Sequence, residues 1–219
     1  MLNRRSLILG MAAGLGASLA AADQPSARPI WCWGDSLTNG TPEGAPNYPT
    51  VLQQLYAAAG RPRLVDNEGR GGETSSQIVT RFFAQPGDSY GEESTHIFWM
   101  GRNDFPDTTL LASNAQRVVD WFTRGPQFFH GRILLLTTLN TSEEREGSFG
   151  HDTIAAMNDS LVTRFGDRLL DIRSLLVDAS KGEGDAIARD WTIDGLHLSA
   201  EANAYVAGVI KAEIDRQGW

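Results

Sequence analysis

The sequence predicts a three-layer α/β/α fold built on a five-stranded parallel sheet. Strand-like apolar runs alternate with segments of helical period along the 219-residue chain, an order that calls for parallel crossover units. The run 133–139 reads as a parallel strand covered on both faces. Polar, glycine-rich segments follow three of the strands, at the sheet edge where open α/β sheets bind ligands.

The elements follow in order. Residues 1–22 read as an export signal: Arg4 and Arg5 precede an apolar stretch, and Ala20, Ala21 and Ala22 are the small residues a signal peptidase accepts. The paired arginines suggest the twin-arginine route. The competing reading, an uncleaved anchor, is disfavoured because this Ala- and Gly-rich stretch falls short of the ~20 apolar residues a bilayer span needs. Residues 23–29 form a polar linker, and 30–219 a single domain able to bury a sizeable core. The first strand, 30–33, stops at Gly34. Residues 48–59 have helical spacing, with Val51, Leu52, Leu55 and Tyr56 on one face and Gly60 as the stop. A second strand is expected at 63–67. The helix 75–84 carries Ile78, Val79, Phe82 and Phe83. Strands at 96–100, 133–139 and 169–172 and helices at 112–123, 153–165 and 200–216 complete the pattern. No internal repeat or low-complexity tract interrupts it.

A formal net charge of −8, with the basic residues scattered, makes nucleic acid and anionic membrane surfaces poor partners. Beyond the leader no segment is expected to cross a membrane. The single cysteine, Cys32, rules out an internal disulfide and argues against a cysteine-based zinc site. Flanked by Ile30, Trp31 and Trp33, it reads as a buried strand thiol. His96, His130 and His151 lack ligand spacing and read as surface or strand-end residues. A dinucleotide loop at 69–74 fails because Thr74 replaces its last glycine. Neither a phosphate-cradling loop nor a Gly-x-Ser-x-Gly elbow occurs. No metal or organic cofactor is expected.

The reactive residues collect at strand ends. Gly34-Asp35-Ser36-Leu37 follows the first strand, Asn67 to Thr74 the second and Gly101-Arg102-Asn103-Asp104 the third. Asp194-Gly195-Leu196-His197 precedes the last helix. A serine hydroxyl is a weak nucleophile until a base takes its proton, and an imidazole base needs a carboxylate to fix its tautomer. Ser36, His197 and Asp194 supply these parts. A developing oxyanion needs aimed donors. Gly72 can offer its backbone N–H, since no side chain obstructs approach, and Asn103 its carboxamide.

These four blocks resemble those of the SGNH, or GDSL, hydrolases, in family order from residue 30 to about 210. The resemblance implies a flavodoxin-like five-stranded parallel sheet. It implies Ser36 as nucleophile, His197 as base and Asp194 as the orienting acid, with Ser36, Gly72 and Asn103 as oxyanion donors. The implied activity is hydrolysis of carboxylic esters through an acyl-serine intermediate, on short-chain esters or carbohydrate O-acetyl groups outside the cytoplasm. The same site could serve a thioesterase, a lysophospholipase or an acyltransferase, and the same fold a non-catalytic carbohydrate-binding protein. Arg102 departs from the family pattern, which has glycine there; it either lines the pocket or points to solvent. Ala202 also departs from a common glycine, as a structural change. Trp191, three residues before Asp194, is either a stacking wall for substrate or ordinary packing. The loops 41–46, 143–150 and 181–189 either rim the site or simply connect elements.

Overall fold

A computed structural model of the chain describes residues 28–41, 45–85, 93–124 and 132–219. The proposed leader 1–22 and most of the linker lie outside the described residues, as does His130.

The sheet has five parallel strands in the order β2-β1-β3-β4-β5, namely β1 (Ile30–Gly34), β2 (Val65–Gly69), β3 (Thr95–Trp99), β4 (Arg132–Leu136) and β5 (Leu169–Leu170). The helices are α1 (Ser36–Asn39), α2 (Tyr48–Ala58), α3 (Ser75–Ala84), α4 (Leu111–Arg124), α5 (Phe149–Phe165), α6 (Ile172–Ser180) and α7 (Ala200–Arg216).

Strand alternation divides the core between the two sheet faces. Ile30, Cys32, Ile97, Trp99, Leu134 and Leu136 meet α2, α6 and α7. Trp33, Phe98, Ile133 and Leu135 meet α3, α4 and α5. This is the three-layer α/β/α arrangement expected from the sequence. Cys32 is fully buried as expected, and burial pushes its thiol up to about 12.

Several boundaries differ from expectation for identifiable reasons. β2 lies two residues later than 63–67, because Cys32, Trp33 and Gly34 pair with Asn67, Glu68 and Gly69. As an edge strand of intermediate burial it tolerates these polar residues. β4 stops at Leu136 instead of 139, because the Asn158 carboxamide takes over both polar groups of the next residues' ladder: it accepts from Thr138 N and donates to Thr138 O, each at 2.8 Å. β5 has only two residues, since Asp171 caps α6 by accepting from Ser174 N and Oγ. The whole of α6 and the one-turn α1 escape the sequence pattern. α5 begins at Phe149, four residues before the expected start, capped by Ser148 Oγ accepting from His151 N.

The strand order reverses between β1 and β3: β1 leads outward to β2, and the chain then crosses back to β3. The crevice at the carboxyl ends of those two strands is where a ligand belongs in such a sheet. Ser36 follows β1 there, and Asn103 follows β3.

Candidate active site

Ser36 opens α1 on a sharp strand-to-helix turn. Asp35 caps that helix, its Oδ1 accepting from Leu37 N at 2.9 Å. A Cβ at Gly34 would overlap Thr38 Oγ1 and lie 2.6 Å from the Trp99 carbonyl oxygen, so only glycine lets the turn close this tightly against β3. As the first helical residue, Ser36 has a backbone N–H without an intrahelical acceptor.

The loop before α7 brings His197 to the serine across 161 residues of sequence. His197 Nε2 lies 2.9 Å from Ser36 Oγ, and Nδ1 lies 2.6 Å from Asp194 Oδ2. Asp194 Oδ1 also accepts from the backbone N–H groups of Leu196 and His197, at 3.0 and 2.9 Å. Partial burial opposes ionisation of Asp194, but the His197 ring and the two N–H donors outweigh it and pull the carboxyl down to about 2. An ionised carboxylate only accepts, so Nδ1 carries the ring proton and Nε2 is left to accept from the Ser36 hydroxyl. An antiparallel bridge between Thr192 and Leu198 and the bond from Ile193 N to His197 O close this loop.

Gly72 and Asn103 arrive from the neighbouring strand ends. Gly72 adopts φ +80 with open space where a Cβ would stand, and a Cβ on Gly71 would lie 3.9 Å from Ser36 Cβ. The Asn103 Nδ2 donates to Glu73 O at 3.0 Å and, at 3.3 Å, to Asp35 Oδ2. Asn103 therefore joins the Gly72 turn to the serine turn, and the longer bond is the weaker of the two. Burial pushes the Asp35 carboxyl up to about 6, against the Leu37 N–H that favours its charge.

The structure thus brings Ser36, His197, Asp194, Gly72 and Asn103 together in one crevice. Arg102 does not point freely to solvent. Its guanidinium forms a two-pronged pair with Glu144, at 3.0 and 3.1 Å, and lies over the Phe105 ring. Trp191 packs on the core beside α7, edge-on to Tyr205 at 5.7 Å between ring centroids.

Two histidines read as surface or strand-end residues are buried instead. His96 lies within β3, where Trp33 Nε1 donates to its Nδ1 at 3.2 Å and burial lowers its pKa to about 3. His151 sits between Asp152 and Asp185, at 2.8 and 2.9 Å. Nothing in the local sequence marks the partnership of His96 with Trp33 or of His151 with Asp185. Among the described residues, no cluster of three or more His, Cys, Asp or Glu side chains could hold a metal ion, and no helix is long and apolar enough to cross a membrane.

The family model described as the GDSL-like lipase/acylhydrolase family matches residues 32–205. In structure the chain is similar to the acetyl xylan esterase AlAXEase, with a TM-score of 0.67 at 17% identity, covering 85% of this chain and 99% of that one. A lipase/acylhydrolase from Enterococcus faecalis superposes with a TM-score of 0.64 at 18% identity, over 87% of this chain and 96% of the other. Axe2, an acetylxylan esterase from Geobacillus stearothermophilus, gives a TM-score of 0.64 at 16% identity, over 86% and 94%. These likenesses show the fold. No curated protein sequence matches the chain.

Proposed function

The chain belongs to the GDSL-like lipase/acylhydrolase family, and from that premise we propose that it hydrolyses carboxylic esters through an acyl-serine intermediate on Ser36. The observation that carries this reading is the unbroken hydrogen-bonded line from Ser36 Oγ through the His197 ring to Asp194.

In the proposed reaction Ser36 Oγ attacks the ester carbonyl carbon as its proton passes to His197 Nε2. The Asp194 carboxylate stabilises the imidazolium that forms. The carbonyl oxygen becomes an oxyanion, accepting from the N–H groups of Ser36 and Gly72 and from Asn103 Nδ2, which gives up its longer bond to Asp35. The tetrahedral intermediate collapses, the C–O bond to the alcohol breaks, and Nε2 returns its proton to the leaving oxygen. Water then repeats the sequence on the acyl-serine, releasing the acid and restoring Ser36.

The proposed substrates are short-chain esters, with carbohydrate O-acetyl groups foremost. Two of the structurally similar proteins are acetyl xylan esterases, which supports that class. The proposed export signal at 1–22 would place a single hydrolase domain, 30–219, in the periplasm or outside the cell, where such polymers are met.

The test is p-nitrophenol release from acetate through octanoate esters by the protein without residues 1–22, beside Ser36→Ala. Turnover on acetate that falls with chain length and vanishes in the variant is expected. Preference for octanoate would replace the short-chain class. Absence of turnover on every ester and on acetylated xylan, with both proteins folded, would refute the reading.

A further inference from the structure

Arg81 lies on the last turn of α3, where a cation complements the helix dipole. Its guanidinium does not stay at that end. Helical side chains lean toward the N-terminus, and this one reaches back to the turn that precedes α3. Nε donates to the two Glu73 carboxylate oxygens at 3.3 and 3.2 Å, and Nη2 to Glu73 Oε2 at 2.7 Å. Nη1 donates to Glu68 Oε2 at 3.0 Å, and Nη2 also donates to the Glu68 carbonyl at 2.7 Å. The guanidinium lies over the Trp33 ring, 5.2 Å from its centroid.

This cluster is largely withdrawn from solvent. The Arg81 side chain is only 10% exposed, Glu68 21% and Glu73 17%. One cation therefore joins the end of β2, the turn at 70–74 and the strand that leads into Ser36. A planar fork with donors on two edges holds both carboxylates at once, which a compact ammonium group does not reproduce.

Glu73 connects the cluster to the proposed chemistry. It follows Gly72, whose N–H has no hydrogen-bond acceptor among the described residues. Its carbonyl accepts from Asn103 Nδ2 at 3.0 Å. The main chain of one residue thus adjoins both proposed oxyanion donors, and its carboxylate is the point at which Arg81 holds it. The turn's own closing bond, from Glu73 N to Arg70 O, is long at 3.3 Å, so the side-chain clamp matters to its rigidity.

We propose that Arg81 is a positioning residue for ester hydrolysis: through Glu73 it holds the Gly72 N–H and Asn103 Nδ2 at the spacing an oxyanion requires. The proposal rests on the reading that Ser36 hydrolyses acyl esters with those two groups as donors. Arg81 acts through Glu73 and is not itself a catalytic residue. Donors held in place act on the transition state more than on the bound ester, so the effect of loosening them falls on kcat.

The test compares wild type with Arg81→Lys, Glu73→Gln and the double variant, on p-nitrophenyl acetate between pH 5 and 9. Thermal melts fix an assay temperature at which each protein is folded. Arg81→Lys is expected to lower kcat about tenfold, short of the ~10²–10³ that follows deletion of an oxyanion donor. KM should stay within about twofold, and the pH midpoint of kcat should not move, because His197 and Asp194 are untouched. The double variant should lose clearly less than the product of the two single losses, since both changes break one contact. Should Arg81→Lys fail to fold, Glu73→Gln, which keeps the arginine and the main chain, decides by the same split of kcat from KM. Wild-type kcat in folded but destabilised variants would make the cluster structural only and overturn the proposal. A raised KM at unchanged kcat, a shifted pH midpoint, or losses that multiply in the double variant would overturn it as well. Wild type without turnover that depends on Ser36 removes the parent reading, whereas Ser36-dependent turnover with unchanged kcat in the variants removes the role of Arg81 only.

Discussion

Asp104 accepts two hydrogen bonds from Ser75, one from its backbone N–H at 2.8 Å and one from its hydroxyl at 2.6 Å. Asp104 follows Asn103 on the turn after β3, and Ser75 opens α3 three residues after Gly72. One carboxylate therefore fixes the distance between the two turns that carry the proposed oxyanion donors. Asn114 Nδ2 donates to the same Ser75 hydroxyl at 2.8 Å, so α4 holds the clamp from behind.

Asp104→Ala is expected to strand the N–H and hydroxyl of a fully buried Ser75, costing about 1–3 kcal/mol of stability. It should also lower kcat more than it raises KM, since loosened donors matter most when the oxyanion forms. Asp104→Asn keeps one acceptor and should recover part of kcat. Urea melts and ester kinetics on both variants check this; a destabilised variant with normal kcat would leave Asp104 a structural residue only.

Gly72 presents a different balance. At φ +80 with no atom within 4 Å of a built Cβ, Gly72→Ala should cost only ~1–2 kcal/mol of backbone strain. A methyl group beside the N–H proposed to face the acyl oxygen should nevertheless reduce kcat/KM by about tenfold or more. Full activity with the expected destabilisation would remove Gly72 from the oxyanion site.

His151 makes stability depend on pH. Burial opposes its charge, but the bonds to Asp152 and Asp185 outweigh burial and the nearby Arg173, so its pKa is raised above 6.5. A base raised in the folded state contributes stability that is fully present below its unfolded value and is lost as pH rises through the folded one. His96 acts with the opposite sign, since its lowered pKa costs stability as pH falls below about 6.5. Comparison with His151→Gln cancels the His96 part. Wild type should exceed the variant in Tm by more at pH 5.5 than at pH 8.5; an equal gap at both would show that the ring carries no such coupling.

Arg102 and Glu144 join the turn after β3 to the loop after β4, with side chains only 15% and 19% exposed. Arg102→Ala should cost about 1–2 kcal/mol, between the values for exposed and buried pairs. KM for p-nitrophenyl acetate should not change. A raised KM at unchanged stability would return Arg102 to the substrate pocket.

Much of this architecture is legible in the sequence because local pattern decides it. The stripe Ile78, Val79 and Phe82 specifies α3 and the face it buries. The short motifs at Ser36 and at Asp194 to His197 mark residues that the structure brings within hydrogen-bond reach. What escapes the sequence depends on partners distant along the chain. β4 ends where Asn158, twenty residues on, replaces the ladder. His151 bonds to Asp185 and Arg102 pairs with Glu144, each partner more than thirty residues away along the chain. β5 is too short to impose a strand period, so the strand reads on to Ile172, the first residue of α6, and the rest of that helix carries no pattern of its own.

The central claim, that His197 activates Ser36 for acyl transfer, is tested most directly by intact-mass and peptide analysis after reaction with a fluorophosphonate. The expected result is a single adduct on Ser36, absent in Ser36→Ala and slowed by at least two orders of magnitude in His197→Ala. An unmodified Ser36 in the folded protein, or an adduct forming as fast without His197, would contradict it.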